Sequence, residues 1–260
     1  MTKIWLMGGF GNVLFQILAY RISSKKRDNV YYVKKLTEKN FLTKQMSWTI
    51  HQELYNDLIL DKEIYKQNIF KCIFPLLLAL FSKKYGRFFK RASFYSNKNK
   101  FEEKRISKNV FGYFQDKYFL SKYREDLLKL GQDLRTLYEF PQEKIVVHYR
   151  KGDTDWGVKY NYYYDKVREL LKKENKEIVV VTDSENEASL FFQSIPNLNV
   201  ISSLNAIDDF KILISAQKLY CAPSTFSWWA AHSLNPENEI VFPIMFEDTL
   251  GIYVKNFKTY

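Results

Sequence analysis

The chain opens on a short apolar run: residues 3–7 have the length and composition of a buried strand. The run enters Gly8-Gly9-Phe10-Gly11-Asn12. After it Val13, Leu14, Phe15, Ile17, Leu18 and Ile22 recur at helical spacing. Arg21, Lys25 and Lys26 stand near the end of that helix, where cations complement its dipole. The start therefore reads strand, glycine turn, helix. Residues 30–33 suit a second strand. Residues 40–110 mix aromatic and basic side chains and are read as mainly helical. Residues 111–120 are dense in aromatics, and 122–137 form an amphipathic helix.

Past Glu139-Phe140-Pro141-Gln142-Glu143, a boundary candidate, the pattern becomes regular. Apolar runs at 145–147, 178–181, 200–201, 219–221 and 239–242 read as strands. Helical patterns at 162–173, 185–192, 206–216 and 226–233 fall between them. Strands alternating with helices imply βαβ units and a parallel sheet, whose ligands bind at the carboxyl ends of the strands. The expected division is 1–143, joined by 245–260, and 144–244.

A length of 260 residues fits one large domain or two modest ones. With 46% hydrophobic and 27% charged residues, the chain has the composition of a globular protein, which excludes disorder and collagen-like repeats. Cys72 and Cys221 are too few for a disulfide framework or a four-thiolate zinc site and read as small buried hydrophobes. His51, His148 and His232 show no paired metal-ligand spacing. The first residues are too short an apolar run for a signal peptide, so a reducing, cytoplasmic compartment is expected. Residues 72–81 are uncharged and are followed by a basic, aromatic stretch to residue 91. Ten residues cannot span a bilayer, for which ~20 are needed. Two readings stay open for 69–91: peripheral contact with an anionic membrane at its inner face, or a buried helix and a solvated basic loop.

Four segments carry chemistry, each at a predicted strand end. Gly8 to Asn12 offers glycines, Gly9 and Gly11 among them, that let a ligand approach the backbone, with Asn12 at the helix start either as a cap or as a ligand contact. His148-Tyr149-Arg150-Lys151-Gly152-Asp153 delivers a guanidinium fork that matches a phosphate, a point charge, and an acid able to orient the arginine. Asp153-Thr154-Asp155 has the form of a cation-holding triplet, but Arg150 and Lys151 directly before it supply the charge that a metal would, so the metal-free reading is preferred. Asp183 and Ser184 end an apolar strand, where Asp183 either reads ribose hydroxyls or a base edge or, with Ser184, caps the next helix. Ser224 or Thr225 caps a helix that starts directly after a strand, an anion site through its N–H groups. A formal net charge of +11 would steer anions toward these segments.

The segments Gly8 to Gln16, Gly112-Tyr113-Phe114-Gln115 with Tyr118-Phe119, His148 to Asp153, Val181-Thr182-Asp183-Ser184, and Ser224-Thr225-Phe226-Ser227-Trp228-Trp229-Ala230-Ala231 occur in one order. In that order the chain resembles glycosyltransferase family 11, the bacterial α-1,2-fucosyltransferases, from residue 4 to about residue 246. The resemblance implies a GT-B-like α/β fold, two Rossmann-like domains facing across a cleft. It implies GDP-fucose as donor, a β-galactoside acceptor, inversion at the anomeric carbon and no required metal or other cofactor. Carried over by motif position, Arg150 binds the diphosphate, Asp153 is the motif's acid, and His148 contacts the nucleoside. Asn12 lies near fucose and acceptor, and Ser224, Thr225 and Phe226 form the phosphate-binding turn. Gly9, Gly11, Lys151 and Asp183 complete the expected donor site. Lys151 in place of a second arginine keeps charge but loses the fork. Val13 replaces a glutamine and Thr154 a tyrosine.

The expected function is transfer of L-fucose to a galactoside hydroxyl, in α-1,2 linkage, of a surface glycan or lipid-linked oligosaccharide. One alternative is an α-1,6-type or other GDP-sugar transferase. Another, of a different class, is a non-enzymatic basic nucleic-acid-binding protein, which 40 Lys and Arg with 21 Phe, 19 Tyr and 5 Trp would allow. The basic residues are scattered and no RNA-binding signature occurs, so nucleic acid is not an expected partner.

Overall fold

Short runs of Val, Ile, Leu and aromatic residues, each followed by a helix-forming stretch, build two parallel sheets. The computed structural model describes residues 3–6, 8–23, 29–32, 64–66, 74–75, 77–78, 92–95, 109–115, 117–138, 140, 143–151, 158–202, 205–243 and 257–259. The chain divides into two compact units, Met1–Leu130 and Gly131–Tyr260.

In the first unit β1 (Lys3–Leu6), β2 (Asn29–Tyr32), β3 (Ile64–Lys66), β4 (Ala92–Tyr95) and β5 (Asn109–Gly112) form a sheet of order β3-β2-β1-β5-β4. Every pairing is parallel. Helix α1 (Phe10–Ser23) follows β1, and α2 (Lys117–Lys122) and α3 (Arg124–Tyr138) follow β5; α3 runs on into the second unit, to which it belongs from Gly131. Ile4, Trp5 and Leu6 of β1 are buried, as are Val13, Leu14, Phe15, Ile17 and Leu18 of α1. A strand covered on both faces reads as a continuous apolar run, as residues 4–6 do. Trp5 stacks on Phe111 of the neighbouring strand at 5.8 Å, and its indole N–H donates to Asn109 Oδ1 at 3.1 Å. The helical expectation for 40–110 is corrected where β3, β4 and β5 occur. These strands have only three or four residues each and acquire their conformation by pairing across the sheet, which leaves no local periodicity to detect.

In the second unit β6 (Ile145–Tyr149), β7 (Ile178–Thr182), β8 (Leu198–Ile201), β9 (Lys218–Tyr220), β10 (Glu239–Phe242) and β11 (Phe257–Thr259) form a sheet of order β11-β10-β9-β6-β7-β8, again parallel throughout. The connecting helices are α4 (Val158–Leu171), α5 (Glu185–Phe192), α6 (Ala206–Ile214) and α7 (Thr225–Ser233). All ten residues of β6 and β7 are buried, which places these strands at the centre of the sheet with both faces covered. Tyr163, Tyr164, Val167 and Leu171 of α4 and Phe192 of α5 pack on them. Since β11 pairs with β10, residues 257–259 belong to this sheet and not to the first unit, where the tail 245–260 was expected. That pairing is long-range and leaves no local trace.

Helix α7 is buried from Phe226 through Ser233. Its C-terminal end meets α3 at Gly131, where a Cβ would lie 2.5 Å from the His232 carbonyl oxygen. Backbone cannot give way as a side-chain tip does. Gly131→Ala is therefore expected to lower stability by about 1 kcal/mol, overpacking of ~2 kcal/mol exceeding the ~1 kcal/mol gained in helix propensity. Urea unfolding of the two proteins reads this difference, and a stabilised variant would show that the helices separate freely.

Of residues 69–91, only 74–75 and 77–78 are described; they are helical, with Phe74 and Leu77 exposed. Among the described residues no helix is long and apolar enough to cross a membrane. Cys221 is a buried free thiol, and Cys72 lies outside the described residues.

Candidate functional site

Open parallel sheets hold ligands where the strand order reverses direction, because the loops leaving the two strands there part to opposite faces. In the second sheet the reversal falls between β6 and β9, which pair from Ile145↔Lys218 to Val147↔Tyr220. The carboxyl ends of these strands and the residues that follow carry His148 to Lys151 and Ala222 to Phe226. Two of the four sequence segments thus emerge side by side.

His148 joins them. Its Nδ1 lies 2.5 Å from Ser227 Oγ in the first turn of α7, and its ring meets that of Phe226 at 5.4 Å. Ser227 Oγ also accepts the Ala222 N–H at 2.9 Å, closing the turn between β9 and α7. Ser224 is the N-cap of α7 in extended conformation; its Oγ accepts the Ser227 N–H at 3.1 Å and its carbonyl the Trp228 N–H at 3.0 Å. Thr225, the other cap candidate, is the first helical residue. The strand end is fixed from the other side by Tyr164, whose hydroxyl donates to the His148 carbonyl at 3.1 Å and accepts the Arg150 N–H at 3.4 Å. His148 is buried. Burial, with the Arg150 guanidinium as a second cause, lowers its pKa to about 3, so the imidazole is neutral near pH 7.

Arg150 and Lys151 both turn toward the loop after β7. Arg150 Nε is 3.9 Å from Asp183 Oδ2, and Asp183 Oδ1 accepts the Lys151 N–H at 3.1 Å. Asp183 therefore braces the neighbouring loop and does not cap α5. Ser184 holds the N-cap position without a side-chain cap bond, and the Ser184 N–H goes to Thr182 Oγ1 at 3.0 Å. The Lys151 ammonium is paired with Glu187 at 2.7 Å, a contact that raises its pKa. Asp153 and the triplet Asp153-Thr154-Asp155 lie outside the described residues.

In the first sheet β1 and β5 are neighbours, and their carboxyl ends lead into Gly8 to Asn12 and Gly112 to Gln115. Gln115 Nε2 donates to Asn12 Oδ1 at 2.6 Å. Helix α1 begins at Phe10, with the Gly9 carbonyl accepting the Val13 N–H at 3.1 Å, so Asn12 stands within the first turn and is not its cap. The glycine that the turn requires is Gly8. Its φ is +96°, and a Cβ there would lie 2.7 Å from Asn12 Nδ2. At Gly9 a Cβ would meet nothing within 4 Å. Gly11 is buried inside α1. Opposite, Gly112 at φ 140° and Phe114 at φ 53° turn the chain so that Gln115 reaches Asn12. A buried phenylalanine in the left-handed region is strained, and such strain persists only where the surrounding packing holds it. The sequence reading did not single out Ser227, Tyr164 or Gln115 as site residues. The signal for Gln115 is present in the segment Gly112-Tyr113-Phe114-Gln115, whereas Tyr164 lies on the predicted helix 162–173 and its hydroxyl finds the His148 carbonyl only in the fold.

No protein-family model and no curated protein matches the chain by sequence. Solved structures match its fold. The E. coli heptosyltransferase WaaC with ADP is similar over 99% of this chain and 92% of its own, at 10% identity and a TM-score of 0.57. WaaC with ADP-2-deoxy-2-fluoro heptose is similar over 100% and 92%, at 9% identity and a TM-score of 0.53. With two parallel Rossmann-like sheets in one chain, the fold class is GT-B-like α/β.

Proposed function

We propose that the chain is an inverting glycosyltransferase that moves L-fucose from GDP-fucose to a galactoside hydroxyl in α-1,2 linkage. The observation that carries this reading is the His148–Ser227 contact at the β6/β9 reversal. It holds the strand end that carries Arg150 against the capped start of α7, so neighbouring strand ends of one sheet carry a guanidinium and a helix N-terminus. Each alone suits an anion; the two at neighbouring strand ends suit a diphosphate. The ordered segments that resemble family 11 narrow the donor to GDP-fucose and the acceptor to a β-galactoside glycan or lipid-linked oligosaccharide.

In the proposed reaction the acceptor oxygen attacks C1 of fucose from the face opposite the nucleotide. The bond from C1 to the β-phosphate oxygen breaks, GDP leaves with the electron pair, and the acceptor proton passes to solvent or a base. Negative charge grows on the departing phosphate. Arg150 and the N–H groups at the start of α7 stabilise that charge because they are oriented before it appears. Asn12, which Gln115 holds, is the carboxamide that the resemblance to family 11 associates with fucose and acceptor.

The test is incubation with GDP-fucose and a panel of galactosides, with and without chelator, followed by linkage analysis of the product. Fucosylated galactoside, formed equally with chelator, is expected. Turnover of ADP-heptose or another nucleotide sugar in its place would move the donor assignment. Salt-sensitive RNA binding without nucleotide binding would replace the enzyme reading with the nucleic-acid one.

A further inference from the structure

The contact between His148 and Ser227 does more than hold two segments together. A neutral imidazole carries one proton, on Nδ1 or on Nε2, and the partner of the other nitrogen decides which. Here the partner of Nδ1 is a hydroxyl whose choices are restricted. Ser227 is fully buried. Its Oγ already accepts the Ala222 N–H. The hydroxyl proton needs an acceptor, and among the described residues the Nδ1 lone pair is the one within reach. Were Nδ1 protonated, the Ser227 hydroxyl proton would be buried without a partner, which costs ~1–3 kcal/mol. The proton of the ring therefore sits on Nε2. That nitrogen has no hydrogen-bond partner among the described residues, and it is not among the sealed polar atoms of the core. It stands at the carboxyl end of β6, beside Phe226 of the α7 turn.

We infer that Ser227 is a positioning residue that fixes His148 as the Nε2–H tautomer, so that an uncharged N–H donor stands at the β6/β9 crevice to bind an acceptor atom of the nucleotide. The ligand half of this inference rests on the sugar-nucleotide reading; the tautomer half does not. A neutral donor suits this place, because Arg150, two residues on, already supplies the positive charge.

The tautomer is read directly from 15N-labelled protein at pH 7 by long-range 1H–15N correlation of the imidazole rings. His148→Gln identifies the resonances among the three histidines. An unprotonated Nδ1 and a protonated Nε2 in the unmodified protein are expected; a protonated Nδ1 overturns the inference whatever any variant does. Ser227→Ala should convert the ring to mixed tautomers and weaken GDP binding about tenfold by calorimetry. The melting curve shows whether it folds, and Ser227→Cys provides a second variant with a weaker donor. Unchanged tautomer and unchanged affinity in a folded variant also overturn the inference. If the unmodified protein has the stated tautomer but binds no nucleotide, the ligand half and the sugar-nucleotide reading fall together, and the positioning of the ring by Ser227 stands.

Discussion

Arg150→Ala is expected to lower turnover with GDP-fucose at least ~100-fold while leaving the fold intact. The two halves of this expectation rest on different observations. The side chain is about a third exposed, at 31%, and its Nε lies 3.9 Å from Asp183. An exposed pair of that length contributes at most ~1 kcal/mol to stability, so melting should hardly shift. Removing one preorganised donor from developing negative charge costs ~3 kcal/mol in the transition state. The difference therefore appears in kcat. Arg150→Lys should restore only part of the rate, because an ammonium keeps the charge and loses the fork. Turnover by Arg150→Ala equal to that of the unmodified protein would remove the guanidinium from the reaction and with it the reading of the β6/β9 crevice.

Acid should destabilise the protein through His148. The folded pKa is lowered to about 3 from the ordinary 6.5, chiefly by burial. Below pH ~6.5 the unfolded chain therefore takes up a proton that the folded ring refuses, and linkage shifts the balance toward unfolding. This destabilisation is absent above the unfolded pKa, grows as pH falls, and is complete below the folded pKa. At pH 5 it is worth about 2 kcal/mol relative to pH 8. Urea unfolding at pH 5, 6, 7 and 8 measures it. His148→Gln will have a lower stability at neutral pH, since it disturbs the contact with Ser227, but its stability should decline less steeply with acid, by close to one proton. Parallel pH profiles for the two proteins would assign the acid sensitivity to other groups.

Apart from β11, the strands and helices from β6 to β10 are readable from their residues to within a few positions. Helix α5 spans the expected 185–192 and β10 the expected 239–242. The reason lies in short-range physics: strands buried on both faces write continuous Val and Ile runs, and α7 carries a local start signal in Ser224, whose side chain caps it. In the first unit the same rules recovered β1, α1 and β2 and failed over 40–110. There Ile64–Lys66 and Ala92–Tyr95 are outer strands of three and four residues, flanked by chain with no clean period. Such strands become strands through their neighbours.

At the candidate site the local signals located the loops and misassigned several contacts. Asn12 and Asp183 were both open to reading as helix caps, because a polar residue beside a helix start caps it more often than not. One accepts instead from Gln115, 103 positions away, and the other braces Lys151, 32 positions away. Glycine at 8 rather than at 9 is required by the turn, a distinction that depends on φ and on the position of the Asn12 side chain.

From its residues alone this chain declares the alternating α/β units from β6 to β10, the opening strand and helix, the strand ends that carry polar chemistry and the Ser224 cap, since each depends on neighbours within a few positions and on which side chains water rejects. Tertiary structure alone decided the strand order, the β6/β9 reversal and the β1/β5 neighbourhood that bring separate segments together, the close approach of α3 and α7 at Gly131, and the partners of His148, Asn12 and Asp183. Those outcomes depend on pairing between segments tens of residues apart, and a polar side chain acquires its role there from whichever distant group reaches it in the folded chain.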